Sequence, residues 1–117
     1  MWNTPTEIQL EKLPRLYETE NIPLKEKMIH LHFFISGSDW WIVEFCPIDR
    51  LFWGFVMLGQ DEMNAEWGLI NFDELCQLKV SYLEVDRDLH WTPRRAVEVE
   101  QICKAQGWNK EIVNQVK

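Results

Sequence analysis

The feature that most constrains the fold of this chain is a succession of apolar segments with a two-residue period between residues 27 and 70. Such alternation is typical of β-strands, whose successive side chains point to opposite faces of a sheet. Residues 27–35 and 40–46 predict two strands, and residues 36–39 between them have the composition and length of a hairpin turn. Residues 52–58 are apolar on both faces, which is typical of a covered central strand. Residues 67–70 predict a short fourth strand.

The predicted strand faces indicate which polar side chains lie together. In the first strand, His30 and His32 share a face. Some metal-binding barrels carry two histidines at this spacing with a glutamate four residues later, but that position here is Ser36, and a half-solvated strand face accounts for both histidines. Strict alternation in the second strand places Trp41, Val43 and Phe45 on one face, and Trp40, Ile42, Glu44 and Cys46 on the other.

Most of the remaining sequence predicts helices. Residues 6–13 form a weakly amphipathic segment, and Asn71 is a favourable N-cap for a second helix. Thr92 followed by Pro93 is typical of a helix start, and Gly107 of a helix end. The buried stripe of that last helix is predicted to be Ala96, Val99, Ile102 and Cys103.

Together these elements predict an α+β fold, an antiparallel meander of about four strands with packed helices. The length of 117 residues and the lack of repeats or linkers favour a single domain over residues 1–117, with its core at about residues 13–106. No apolar run approaches the roughly 20 residues that a membrane helix needs. Three cysteines without a C-x-x-C pair, and an N-terminus unlike a signal peptide, predict free thiols in the cytoplasm.

The charge of the chain limits its partners. The formal net charge is −7, and residues 1–70 carry 11 acidic and 5 basic side chains. Because such a surface repels phosphates, direct binding to duplex nucleic acid is not expected. The same charge keeps a protein in solution and steers association with a basic protein partner.

One stretch combines metal-ligand residue types. Between residues 83 and 89 the chain is predicted to be extended or loop-like. If the stretch is extended, Asp86, Asp88 and His90 project to one side, with alternate Cα atoms about 6.6 Å apart. With Glu44 from a neighbouring strand they are candidate ligands of a divalent metal. The alternative is that the acids pair with Arg94 and Arg95 or cap the following helix.

The tryptophans are the candidate interface residues. Three of the seven, Trp40, Trp91 and Trp108, are predicted to be partly exposed, and tryptophan is enriched in interface hot spots. The acidic residues Asp61, Glu62 and Glu66 are predicted to lie in or beside a loop that meets a basic partner. Packing of the indole rings in the core is the alternative.

Six segments carry a resemblance: Leu16-Tyr17-Glu18-Thr19-Glu20, Phe33-Phe34, Trp40-Trp41 with Glu44, Phe52-Trp53-Gly54, Trp67-Gly68 and Asp86-Arg87-Asp88-Leu89-His90-Trp91-Thr92-Pro93. Together they resemble an uncharacterised bacterial family, a domain of unknown function common on plasmids, phages and other mobile elements. They run in the family's order from about residue 13 to residue 97. The family carries glutamate where this chain has Asp86, and tyrosine where it has Ile42. The resemblance implies a bacterial or phage cytoplasmic setting and a role in mobile-element biology, such as countering host defence.

Two functional hypotheses follow. The first is a non-enzymatic interaction protein with no cofactor that inhibits a nucleic-acid-handling or defence complex of the host. The alternative is a small metal-assisted hydrolase or nuclease that uses Glu44, Asp86, Asp88 and His90. A third possibility, single-stranded nucleic-acid binding through the tryptophans, is disfavoured by the net charge. The sequence contains no nucleophile elbow and no glycine-rich phosphate loop.

Overall fold

The structure is a computed structural model that describes residues 1–108. In this part of the chain, the main sheet has five antiparallel strands in the order β5-β4-β3-β2-β8. Four of them follow one another along the chain, so the predicted antiparallel meander is confirmed, and β8 adds a strand beside β2. The strands are β1 (Met28–Ile29), β2 (Leu31–Ile35), β3 (Ser38–Cys46), β4 (Leu51–Met57), β5 (Glu66–Asn71), β6 (Lys79–Val80), β7 (Leu83–Glu84), β8 (Asp86–Arg87) and β9 (Arg94–Arg95).

The turn between β2 and β3 lies where it is predicted but is shorter than the predicted residues 36–39, because β3 already begins at Ser38. Ile35 pairs with Ser38, so the loop consists of Ser36 and Gly37 alone. Both have positive φ angles, 41° and 86°, as a two-residue turn that matches the twist of a hairpin requires. The turn fixes the register in which Phe33 faces Trp40.

A β-bulge in β3 changes the predicted faces of this strand. Ile42 pairs with Gly54 of β4, but Glu44 pairs with the next residue, Trp53, so Val43 is the extra residue. Directly paired residues share a face. Glu44 therefore lies on the face of Trp53, and the prediction that it shares a face with Trp40 and Ile42 is wrong.

The sheet buries apolar side chains on both faces. Phe52 and Phe55 on β4 are both fully buried but belong to different clusters, which agrees with the prediction of a central strand covered on both sides. Leu10 also lies in the core, earlier than the predicted boundary near residue 13, because the helix that carries it packs over one face. The first cluster contains Leu10, Leu13, Phe33, Ile35, Trp40, Ile42, Phe45, Phe52, Ile70, Phe72, Leu75 and Val85; the second contains Ile29, Trp41, Val43, Phe55, Met57, Ala96, Val99 and Ile102.

The helices are short. They are α1 (Glu7–Glu11), α2 (Phe72–Gln77) and α3 (Glu100–Gln106), with 3₁₀ turns at Leu24–Glu26 and Ala96–Glu98. Thr6 caps α1 in a capping box, and the side chain of Asn71 caps α2 by accepting a hydrogen bond from the Glu74 N–H. Gly107, at a φ of 69°, ends α3 as predicted. Within residues 1–108 no helix is long and apolar enough to span a membrane.

The predicted helix start at Thr92 is wrong. Residues Arg94–Arg95 instead form β9, which pairs with β1, and the Ala96 N–H donates to the Lys27 carbonyl oxygen. Arg95 is also held by the carboxylates of Glu26 and Glu98. These contacts with distant residues outweigh the local capping preference. They also divide the predicted strand 27–35, because β1 pairs with β9 whereas β2 pairs with β3 and β8.

Candidate binding pocket

A cavity of about 410 Å³ opens where β3, β4 and β5 meet the loop that follows α1. Its size falls within the range of ligand-binding pockets. Trp53 forms part of the wall from the sheet, and the loop contributes both apolar and charged side chains. The lining residues are Leu16, Tyr17, Glu20, Leu24, Lys27, Glu44, Trp53, Gly68 and Leu69.

Glu44 fastens the loop to the sheet. Only 4% of this residue is exposed, and its carboxylate accepts hydrogen bonds from the backbone N–H groups of Tyr17 and Thr19, both at 3.0 Å. The Thr19 hydroxyl donates a third bond to the same carboxylate. Because a buried carboxylate is costly unless its oxygens are hydrogen-bonded, this arrangement defines where the loop lies. The β-bulge brings Glu44 to this face of the sheet.

Lys27 completes the buried polar network. It is 5% exposed, and its ammonium donates to the Thr19 carbonyl oxygen and to the Thr19 hydroxyl oxygen. Thr19 thus bridges the two opposite charges of Lys27 and Glu44. The same ammonium lies 5.3 Å from the centre of the Trp53 ring, within the range of a cation–π interaction.

The mouth of the cavity is apolar and exposed. Tyr17 is 74% exposed, Leu69 57% and Leu24 38%. Tyr17 also has a φ of 70°, a left-handed conformation that is unfavourable for a bulky residue and is held by the bond from its N–H to Glu44. Backbone strain of this kind clusters at functional sites. A preformed cavity with an exposed apolar rim is suited to bind an apolar group.

A second polar cluster surrounds His32. Its Nε2 lies 2.7 Å from Asp39 and its Nδ1 3.1 Å from Asp88, so the ring lies between two carboxylates. The ring stacks on Trp41 at an interplanar angle of 9° and contacts Trp91. This cluster ties the loop after β8 to the first hairpin.

Asp88 makes the His32 cluster sensitive to acid. Burial opposes ionisation, but hydrogen bonds from His32 and from the His90 N–H hold the pKa of Asp88 below its usual range. A carboxylate with a lowered pKa in the folded state stabilises the fold above about pH 4, and this contribution is lost as the pH falls through the folded pKa.

Asp88→Asn is therefore expected to lower the free energy of unfolding by about 1–2 kcal/mol at pH 6, with a smaller difference at pH 3. Chemical denaturation of both proteins across this range measures the difference, with Asp49→Asn at an exposed turn as control. A difference that does not shrink on acidification would contradict a lowered pKa of Asp88 in the folded protein.

The four predicted metal ligands do not converge. Glu44 lies on the central strand β3 and is enclosed by the loop after α1, whereas Asp86 lies on the edge strand β8 and accepts a hydrogen bond from the Asn3 side chain. β8 ends at Arg87, so strand alternation does not extend through Asp88 to His90, and Asp88 bonds His32 instead. The alternative pairing of these acids with Arg94 and Arg95 is also wrong, because Arg95 pairs with Glu26 and Glu98 and Arg94 bonds to Thr92. In the described part of the chain, no three His, Cys, Asp or Glu side chains are arranged to hold a metal ion.

The predicted interface residues have different environments. Trp40 is 5% exposed because it pairs with Phe33 and Val56 inside the sheet, so the prediction of its exposure is wrong. Trp91 and Trp108 are half-buried. The three acids, Asp61, Glu62 and Glu66, are exposed.

The sequence analysis missed the cavity and most of its lining. Tyr17, Lys27 and Leu69 were not candidates, although the segments that carry the family resemblance supply Leu16, Tyr17, Glu20, Glu44, Trp53 and Gly68 to its wall. The one feature of the sequence that could have indicated the cavity was Glu44, a charged residue inside an otherwise apolar strand. Comparison with known proteins found no family model, no curated protein and no solved structure that matches this chain.

Proposed function

We propose that this protein is a small acidic interaction protein of the cytoplasm whose partner presents a basic surface. The loop between β4 and β5 is the observation that carries this proposal. Asp61 and Glu62 are exposed in this loop, Glu66 is exposed at the start of β5, and Met63 in the loop is 95% exposed. A bare apolar side chain surrounded by carboxylates fits a contact with an apolar centre and a charged rim.

The acidic loop is ordered before any partner arrives. The Asp61 carboxylate accepts bonds from the Asn64 side chain at 2.7 Å and from the Asn64 N–H at 3.3 Å. These bonds hold the pKa of Asp61 below its usual range, so the group is ionised at neutral pH. A preformed loop loses less conformational entropy on association, which favours binding.

The family resemblance supports a setting in a bacterial mobile element or phage. In that setting, we propose that the protein inhibits a nucleic-acid-handling or defence complex of the host. The basic surfaces of such complexes complement a chain with a net charge of −7, whereas duplex nucleic acid itself is repelled.

An affinity pull-down from a bacterial lysate, with and without nuclease treatment, tests this function. The expected result is a stoichiometric basic protein that remains bound after nuclease treatment. Loss of every partner on nuclease treatment would contradict the proposal, because nucleic acid would then be the bridge.

Charge reversal in the loop is expected to slow association with the captured partner. Glu62→Lys combined with Glu66→Lys should reduce the association rate constant about tenfold at low salt, and should weaken its dependence on salt, because both charges contribute to steering. Surface plasmon resonance at several salt concentrations measures both effects. The matched control combines Glu11→Lys with Glu74→Lys, two exposed acids on α1 and α2. Equal rates for the two variants would contradict a role for the loop.

A further inference from the structure

The outer edge of β5 is open. β5 forms one edge of the main sheet and pairs only with β4, so alternate residues direct their N–H and C=O groups away from the sheet. Among residues 1–108, no backbone or side-chain group bonds to these outward groups. The opposite edge is different, because Trp2 pairs with β8 and bonds the Val85 carbonyl and the Arg87 N–H.

β5 also lacks the features that normally protect a sheet edge. Its pairing with β4 is regular from Glu66 to Asn71, without a bulge, and its sequence contains neither proline nor lysine. Glu66 is its only charged residue. Exposed edges of this kind accept an additional strand.

The cavity lies beside this edge. Glu44, Trp53 and Leu69 are paired successively across β3, β4 and β5 and form one row on the face that carries the cavity. A strand added to β5 would extend this row by one residue, next to Leu69 at the mouth of the cavity. The side chain of that residue has the apolar rim of Leu69, Tyr17 and Leu24 within reach.

We infer that an extended segment of a basic protein partner binds as a sixth strand along β5 and places one apolar side chain in the cavity. Backbone hydrogen bonds hold the segment, and the cavity selects the side chain. Glu66 begins the edge, and the acidic loop with Asp61 and Glu62 leads directly into it, so basic residues in the segment find complementary charge. A second copy of this chain, itself at −7, would bring the same carboxylates together. This inference rests on the proposed function and specifies where the partner binds.

The first test uses a displayed library of random octapeptides selected on the purified protein. Enriched peptides are expected to carry a large apolar residue with lysine or arginine at neighbouring positions. Their binding should slow amide hydrogen exchange at alternate residues of β5. Failure to enrich any peptide, or protection elsewhere in the protein, would overturn the inference.

Two further measurements distinguish strand addition from other binding. N-methylation of the best peptide, one residue at a time, should weaken binding more than about tenfold at alternate positions only, because every second N–H bonds to β5. Leu69→Asp should weaken binding by a similar factor, whereas Ile48→Asp, at an exposed position (89%) in a turn, should leave it within about twofold. Uniform sensitivity to N-methylation, or equal effects of the two substitutions, would overturn the inference.

The outcomes also separate this inference from the proposed function. If the lysate partner depends on Glu62 and Glu66 but competes with no β5 peptide, the interaction function stands and strand addition is wrong. If peptides bind β5 with the alternating pattern but the lysate yields no basic protein, strand addition to the β5 edge is confirmed and the proposed function fails. A concentration-dependent dimer in sedimentation, with β5 amides protected, would replace the partner segment with a second copy.

Discussion

Gly54→Ala is expected to lower the free energy of unfolding by about 4 kcal/mol or more, which is a large part of the stability of a typical domain. The added Cβ would overlap the carbonyl oxygen of Trp41, and it would lie 2.9 Å from the carbonyl carbon of Trp41 and 3.1 Å from the Cα of Ile42. These are backbone atoms at the bulge of a central strand, so no side-chain rotation relieves the overlap. Circular dichroism and urea denaturation measure the loss.

The matched control lies directly opposite on the neighbouring strand. Gly68 pairs with Gly54, but a Cβ at Gly68 would have no atom within 4 Å. Gly68→Ala is therefore expected to be neutral or to stabilise the protein by up to about 1 kcal/mol, because alanine restricts the unfolded chain. Equal stability of the two variants would contradict the close approach of β3 and β4 at the bulge.

The bulge also shows how far the sequence allowed the fold to be predicted. Alternation and the Ser36-Gly37 turn are local signals, and they were sufficient for the four-strand meander. The bulge depends on the contact of Gly54 with the backbone of β3, which has no signature within residues 40–46. One inserted residue, Val43, therefore reversed the predicted face of Glu44.

The candidate site was harder to predict for the same reason. The loop after α1 has no hydrophobic period, and its position is set by hydrogen bonds from Tyr17 and Thr19 to Glu44, more than twenty residues away. The predicted metal set joined Glu44 on the central strand to residues on and after the edge strand β8, because the sequence does not give strand order. The exposure of the acidic loop could be predicted without knowing the strand order, since a run of charged and small residues between two strands is exposed wherever the strands lie.

Glu44→Ala is expected to lower the free energy of unfolding by about 3–5 kcal/mol. The substitution leaves the N–H groups of Tyr17 and Thr19 and the Thr19 hydroxyl without their acceptor, and it removes the negative charge that Thr19 connects to the buried ammonium of Lys27. Glu44→Gln retains one carbonyl acceptor but points an amide N–H₂ at donors. Its loss of stability is therefore expected to lie between those of the original protein and Glu44→Ala. Glu11→Ala, at an exposed position on α1, should change stability by less than about 0.5 kcal/mol. Urea denaturation of the original protein and the three variants gives the order of their stabilities.

Removal of both charges distinguishes the free-energy cost of burying Glu44 and Lys27 from the stabilisation that their hydrogen bonds provide. Glu44→Leu combined with Lys27→Met replaces the two buried charges that Thr19 bridges with apolar groups of similar size, and such replacements are often less harmful than the loss of one partner. The double variant is therefore expected to be more stable than Glu44→Ala, while the amides of Tyr17 and Thr19 exchange faster than in the original protein, because their common acceptor is gone. If those amides remain protected in both variants, Glu44 does not hold the loop, and the rim of the cavity must be fixed by its apolar contacts alone.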